Sequence, residues 1–580
     1  MSTTRLRPSQ ALDRWLDEAE AGPGLGTAAL DRAEEFPARI VERLDAFELP
    51  AYYVPAQWGG ELDDHEELFR LWRAAARRDV SAVVAHGKTY LGAVSVWLTG
   101  SPEQCEQTAA AILDGERISW ALSEPEHGAD LLAGSVTARR TAAGYTLDGT
   151  KWPINNATRG SRLTVLARTG EQGGSRGQSL FLVDKSELGE GSYQLLPKAR
   201  THGVRGVDIS GIAFEGAELP ERALLGAEGG GAETVLRALQ LTRTMCSALS
   251  AGAGEHALRI VVGFAAERII QEQPLITRPN VRAVLARSAA LLAAVEAAAV
   301  HGSRSIHALT GEMSVVSAVV KALAPSLVDG VITDLAEVLG SRAFLAEEYA
   351  EGAFQKIQRD HQVVAIFDGS TVVNRNSLIN QFPRLVRGFA AGTADAEGLA
   401  RAAALDAAPG PLDFDRLTLL SRTGCSTVQA LPATVEALAG LGASDELQRQ
   451  AKALVATGDE LHRRMADVRP SPRPSMASFE LAAAYETLYA AAACLQLWTA
   501  NAATAAGPLW EDALWLRVTL RELHLRLLKQ LGEARPPVTE EDTRLTDQLV
   551  DRIAQAVADG TPLTPLGQPT GQPTETPDAA

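Results

Sequence analysis

The sequence predicts a mainly helical α+β protein in which one small β domain is set between helical blocks. Three observations carry this. Ala and Leu dominate a 580-residue chain with only 5% aromatics, and its charges recur at three- and four-residue spacing, as on solvent-flanked helices. Near Arg117 the apolar period drops to two, the strand period. Beyond about residue 225 the helical period returns and persists. With 46% hydrophobic residues over this length, the chain exceeds the roughly 250–300 residues that one core can organise, so several domains are expected.

The first domain, 1–116, is predicted helical. In HEELFRLWRAAARRD, Leu68, Leu71 and Ala75 fall on one face, and the preceding YYVPAQWGGEL, with Pro55 and Gly59-Gly60, is a turn. A small antiparallel β-barrel is predicted over 117–225. Ile118, Trp120 and Leu122 alternate in RISWALS, Leu163, Val165 and Ala167 in RLTVLAR, and TARRTAAGYTLDG is a hairpin about Gly144. The Gly-rich GAEGGGAETVLRALQLTR opens a helical block at 226–390 and lacks the GxGxxG spacing of a dinucleotide-binding turn. The Ala-, Gly- and Pro-rich stretch after Ala391 separates an extra helical domain, 391–565, whose FELAAAYETLYAAAACLQLWTAN is expected to be a buried helix. Trp498, Trp510 and Trp515 are expected in its core. The polar, Pro-rich end, 566–580, is predicted to be a disordered tail.

A formal charge of -17 and a pI near 5.2 exclude a general nucleic-acid binder, since phosphate binding needs a basic surface. Cys105, Cys246, Cys425 and Cys494 form no CxxC pair, so no zinc site or disulfide framework is predicted. His127, His202 and His361 lack second ligands at fixed spacing, and no metal is assigned. With no signal-peptide core and no chargeless apolar run of about eighteen residues, no membrane span is expected, and the cytoplasm is the expected location.

The chemistry concentrates in ordered segments. WALSEPEHGADLLAGS (Leu122, Ser123, Gly128, Ala129 and Asp130 among its residues) is a strand ending in a Pro- and Gly-containing loop. GTKWPINNA follows, then HGVRGVDISGIAFEGAELPERALLG, QLTRTMCSALSAGAGEHALRIVVGFAAER with Arg243 and Arg268, EVLGSRAF, and QRDHQVVAIFDGSTVVNRN. In this order, over roughly 10–390, they resemble the motifs of the FAD-dependent acyl-CoA dehydrogenase family. Arg359-Asp360 to Ile366-Phe367-Asp368-Gly369-Ser370 keeps the spacing of its R-D…I-(F/Y)-E-G-T stretch. The resemblance implies a helical N-terminal domain, a middle β-barrel and a C-terminal four-helix bundle, with the extra helical domain resembling the extension of larger members.

It further implies FAD as cofactor and Asp368 as the catalytic carboxylate. Leu122, Ser123, Gly128, Ala129, Ile154, Asn155, Arg268, Glu337, Gly340 and Ser370 would bind the cofactor; Ala129, Gln240, Arg243 and Gly369 would bind the substrate. In this family a carboxylate takes the proton α to a thioester carbonyl while the β hydrogen leaves as hydride to flavin N5. The implied partners are an acyl thioester on CoA or an acyl carrier protein, an electron-transfer flavoprotein or oxygen as acceptor, and further copies of the chain in a homodimer or homotetramer.

The departures from the family pattern cluster. Asp368 stands where the family has Glu, one methylene or about 1.5 Å longer. Ala129 replaces a Ser that helps hold the pantetheine arm, Pro153 a Trp, Asn155 a Thr, Gln240 an Asp, Glu337 a Gln and Ser341 a Gly. A specialised thioester is therefore expected. The alternatives are a flavin-dependent oxidase or N-hydroxylase on the same scaffold, since nitroalkane oxidase resembles this chain in using aspartate, and a pseudoenzyme whose extension binds a partner.

Overall fold

The computed structural model describes residues 6–21, 24–170 and 174–566. Its contacts divide the chain into two compact units, Met1–Thr242 and Arg243–Ala580.

The first unit opens with helices α1 (Pro8–Ala21), α2 (Thr27–Ala33), α3 (Ala38–Ala46), α4 (His65–Ala76), α5 (Val80–Thr99) and α6 (Pro102–Leu113). Their starts are written in side chains. Asp64 and Asp79 accept from the backbone of Glu66 and Ser81, and Ser101 with Gln104 forms a reciprocal cap on α6. The strands are β1 (Ile118–Ala121), β2 (Thr137–Arg140), β3 (Gly144–Asn155), β4 (Arg162–Arg168), β5 (Gln178–Asp184), β6 (Tyr193–Leu196), β7 (Ile209–Pro220) and β8 (Leu224–Leu225).

These strands form one eight-stranded sheet in the order β6-β7-β3-β2-β4-β5-β8, with β1 on β4. The expectation of an antiparallel barrel needs correction in strand direction, because β1 and β2 both run parallel to β4. Strand β1 is buried at all four residues, since it packs against α5 as well as joining the sheet. The two-residue alternation in RISWALS therefore reported a strand without reporting a solvent face. Leu147, Val165, Phe181 and Ile212 lie at the core of the sheet.

Helix α7 (Gly231–Glu267) crosses the boundary between units. The second unit continues with a small hairpin, β9 (Ile269–Ile270) and β10 (Gln273–Pro274), then α8 (Pro279–Ala308), α9 (Met313–Leu339), α10 (Ser341–Phe344), α11 (Ala353–His361), α12 (Thr371–Ile379) and α13 (Phe382–Ala391). The extension supplies α14 (Ala396–Ala403), α15 (Ser426–Gln429), α16 (Leu431–Ala437), α17 (Asp445–Ala466), α18 (Met476–Asn501), α19 (Leu514–Gln530) and α20 (Glu540–Ala558).

The break expected near residue 391 is not a break in packing. Helix α18 is buried along most of its length and packs against α8, α9 and α12. Its Ala-rich surface lets helix axes approach closely on several sides. Trp498 and Trp515 are buried, and Trp510 packs edge-on to Trp515 at 5.5 Å. Of the expected tail, 567–580 lies outside the described residues, whereas Leu566 is buried. Two segments, Pro279–Ala308 and Thr310–Leu339, are long and apolar enough to cross a membrane, with best-window mean hydropathies of 1.7 and 1.8, although no such run was expected. In each, 83% of that window is buried inside the protein. The expectation demanded an uninterrupted chargeless run, whereas core helices this apolar still carry isolated charges such as Arg304 and Lys321.

Candidate active site

In the second unit, the segment between α11 and α12 forms a tight loop around Asp368. Asp368 lies in the left-handed region at φ 53°, followed by Gly369 at φ 94°. A non-glycine residue there is strained by about 1 kcal/mol or more, so its surroundings must hold it. Arg243, buried on α7, donates from Nε to the Asp368 carbonyl at 2.9 Å. One turn further on, the Cys246 thiol lies 3.7 Å from Asp368 Oδ2. A Cβ on Gly369 would meet Arg243 Nη2 at 2.9 Å, so the guanidinium rests against the bare glycine backbone. Ser370 begins α12, its Oγ accepting from the Val373 N–H at 3.3 Å. Asn374 Nδ2 donates to the carbonyls of Gly369 and Ser370 at 2.9 and 3.0 Å.

From α9, the fully buried Lys321 donates from Nζ to Val364 O at 2.6 Å and Gly369 O at 3.3 Å, and lies 5.2 Å from the centre of the Phe367 ring. His361, also buried, bridges Asp329 Oδ1 at 2.6 Å and Ser250 Oγ at 2.9 Å. Burial pushes Lys321 and Arg243 below their ordinary pKa values, while the nearby Asp368 draws both upward. Among the described residues, the Asp368 carboxylate has no ion pair within salt-bridge distance.

Asp368, Gly369, Ser370 and Arg243 are thus brought together. Arg268 is not beside them: it is exposed, 25 residues after Arg243, at the start of the β9–β10 hairpin. Glu337 and Gly340 are exposed at the end of α9, sixteen or more residues beyond Lys321.

In the first unit, Leu122 and Ser123 are half-buried at the end of β1, and Gly128 and Ala129 are exposed in the following loop. A Cβ on Gly128 would meet nothing within 4 Å. The loop is staked by a buried ion pair. Lys151 Nζ reaches Glu124 Oε1 at 2.8 Å and Leu122 O at 3.0 Å, while Glu124 accepts from Ser135 N and Oγ at 2.6 and 2.7 Å. Burial pushes the Glu124 carboxyl up, but Lys151 and Ser135 outweigh it and hold the pKa at about 2. The Ile154 side chain is buried in the sheet core, which leaves its backbone for any ligand contact. Asn155 donates to Val84 O at 2.6 Å, while its buried Oδ1 has no hydrogen-bond partner. Gln240 is buried on α7. A cavity of about 290 Å³ lies near neighbouring Asn156, lined by Phe36, Val41, Ala85, Arg117, Asn156 and Arg159. Among the described residues, no group of three His, Cys, Asp or Glu side chains could hold a metal ion.

Three family models match in order: the acyl-CoA dehydrogenase N-terminal domain at residues 20–116, the middle domain at 119–217 and the C-terminal domain at 229–382. The chain belongs to the acyl-CoA dehydrogenase family. It is 26% identical over 363 residues to the probable acyl-CoA dehydrogenase FadE25 of Mycobacterium tuberculosis, covering 62% of this chain and 91% of that one. It is 27% identical to the human mitochondrial short-chain specific acyl-CoA dehydrogenase, covering 60% and 83%. An acyl-CoA dehydrogenase from Bacillus anthracis, solved in complex with FAD, matches at a TM-score of 0.70 and 18% identity over 96% of both chains. That fold likeness therefore includes the extension. The butyryl-CoA dehydrogenase of Megasphaera elsdenii matches at a TM-score of 0.59 and 20% identity, covering 64% and 97%.

Within this acyl-CoA dehydrogenase framework, sequence reading missed Lys321, Cys246 and the contacts of His361. A Lys inside the apolar run VVKALAP was the available signal for Lys321, since an ammonium in a buried helix is costly without partners. Cys246, one turn after Arg243, had only the i, i+3 relation to point to it.

Proposed function

We propose that the chain is an FAD-dependent dehydrogenase that forms an α,β double bond in an acyl thioester, with Asp368 as the base. The supporting observation is a carboxylate with no ion-pair partner among the described residues, on a loop whose strained backbone is held by Arg243. A base must be fixed in place yet free to accept a proton. Asp368 takes the α proton on a carboxylate oxygen, while Cys246 and Arg243 limit its swing. Bound FAD supplies the acceptor for the hydride that leaves the β carbon.

The residues fit that cofactor. The partnerless Asn155 Oδ1 is an acceptor for a ligand N–H, which an isoalloxazine ring carries at N3, and the open space at Gly128 admits close approach to the loop backbone. Leu122, Ser123, Ala129 and the backbone of Ile154, also in the first unit, are assigned to the cofactor as well. Within the second unit, Ser370 is assigned to the cofactor and Arg243 and Gly369 to substrate; Gln240, on the first unit's part of α7, is also assigned to substrate. Arg268 immediately follows the last residue of α7, whose axis carries the chain about 36 Å beyond Arg243 at 1.5 Å per residue. We assign it, with Glu337 and Gly340, to a flavin held by a second copy, which makes the working form a homo-oligomer. Ala129 in place of the family Ser favours a thioester gripped differently along its pantetheine arm, on CoA or on an acyl carrier protein. Electron-transfer flavoprotein or oxygen would reoxidise the flavin.

The test is anaerobic addition of a panel of acyl-CoA and carrier-bound acyl thioesters to FAD-loaded protein, followed by flavin absorbance. Bleaching by at least one thioester in the unaltered chain and none in Asp368→Asn is expected. Equal bleaching in Asp368→Asn would place the base elsewhere, and no bleaching by any thioester would overturn the dehydrogenase reading.

A further inference from the structure

The geometry points to Lys321 as the positioning residue of the Asp368 loop: its buried ammonium ties the two ends of that loop together. The inference rests on the reading of Asp368 as the base. Lys321 belongs to an apolar stretch of α9, between Val320 and Ala322, where nearly every neighbour along the helix is buried. A charge there costs far more than a methionine or leucine would, unless it is fully compensated. Its hydrogen bonds go to the Asp368 loop. The Val364 carbonyl precedes Asp368 by four residues and the Gly369 carbonyl follows it by one, and both accept from the same Nζ. The Phe367 ring, between them, lies 5.2 Å from that nitrogen, within cation–π reach.

A second observation shows why the loop needs tying. Asp368 has a left-handed backbone, which the unrestrained chain would abandon for a relaxed conformation that turns the carboxylate elsewhere. Arg243 holds the Asp368 carbonyl from α7, and Asn374 donates to Gly369 O from α12. Gly369 O thus accepts from both Lys321 and Asn374, which uses both lone pairs of that carbonyl. Lys321 bonds on both sides of Asp368, so its removal frees the loop at two points.

The experiment is hydrogen–deuterium exchange with mass spectrometry on the full-length, FAD-loaded chain, comparing Lys321→Met and Lys321→Arg with the unaltered protein. Peptides covering 362–370 should exchange about tenfold faster in Lys321→Met. Peptides covering α17 should not change, and Lys321→Arg, which keeps a charged donor, should restore much of the protection. If Lys321→Met does not fold, Lys321→Gln, whose amide nitrogen stops one atom short, takes its place with the same expectation. Unchanged exchange over 362–370 overturns the proposal, as does acceleration spread equally over α9 and α17. A flavin that no thioester bleaches would sink the functional reading while leaving the exchange result to decide the role of Lys321.

Discussion

The guanidinium of Arg375 grips the carboxylate of Glu486 on two prongs, Nε to Oε1 at 2.8 Å and Nη2 to Oε2 at 3.0 Å. Arg375 stands on α12, immediately after the Asp368 loop, and Glu486 is buried in α18 of the extension. The extension thus braces the helix that follows the Asp368 loop. Burial pushes the Glu486 carboxyl above its ordinary pKa against the pull of Arg375. Glu486→Ala leaves a mostly buried guanidinium without this partner, and should lower unfolding free energy by about 3–5 kcal/mol. Urea denaturation of the two proteins measures it; a loss below 1 kcal/mol would show that the brace is idle.

Lengthening Asp368 tests the role proposed for it. Asp368→Glu adds about 1.5 Å of reach to a loop fixed by Arg243 and Lys321. The rate constant for flavin reduction by the best thioester should fall on the order of a hundredfold. Stopped-flow absorbance reads this directly, and a rate equal to that of the unaltered protein would show that the loop yields to the longer side chain.

Acid stability should carry the signature of Glu124. Its folded pKa of about 2 lies below the ordinary 4.5, so its stabilisation is complete above pH 4.5 and is lost as pH falls from there towards 2. Glu124→Gln should remove that part of the acid dependence. At pH 7 it should also cost about 3–5 kcal/mol by leaving the Lys151 ammonium buried without a counter-charge. Denaturant midpoints collected every half pH unit separate the two effects, and parallel pH curves for both proteins would contradict the assignment.

The segment 563–566 packs into the second unit. Thr564 Oγ1 donates to Glu296 Oε1 at 2.9 Å, the Leu566 N–H reaches Oε2 at 3.3 Å, and Trp510 Nε1 donates to Pro565 O at 2.9 Å. Leu563 and Leu566 are buried there. Truncation after Pro562 should therefore destabilise the second unit by at least about 3 kcal/mol. A truncated protein that melts with the full chain in calorimetry would refute this.

Much of the candidate site was legible because its spacing is local. Arg359-Asp360 to Ser370 lies within one loop and its flanking turns, so its register survives in the sequence. Lys321 was not legible in this way, because its partners lie 43 and 48 residues away and only the packing of α9 brings them together. Ile154 was legible in part: its motif position was read as a cofactor contact, and the strand turns its side chain into the sheet core, which leaves its backbone for such a contact.

By itself, the sequence determined the order of helical and β segments, the family and the place of Asp368, because periodicity and motif spacing are properties of neighbouring residues. Only the tertiary structure decided that β1 and β2 run parallel to β4, that the extension packs with the bundle as one unit, and that a buried ammonium and guanidinium bond the loop around Asp368. Each of these depends on contacts between residues far apart in the chain, where burial makes an unpaired charge or a strained backbone too costly to leave unsupported.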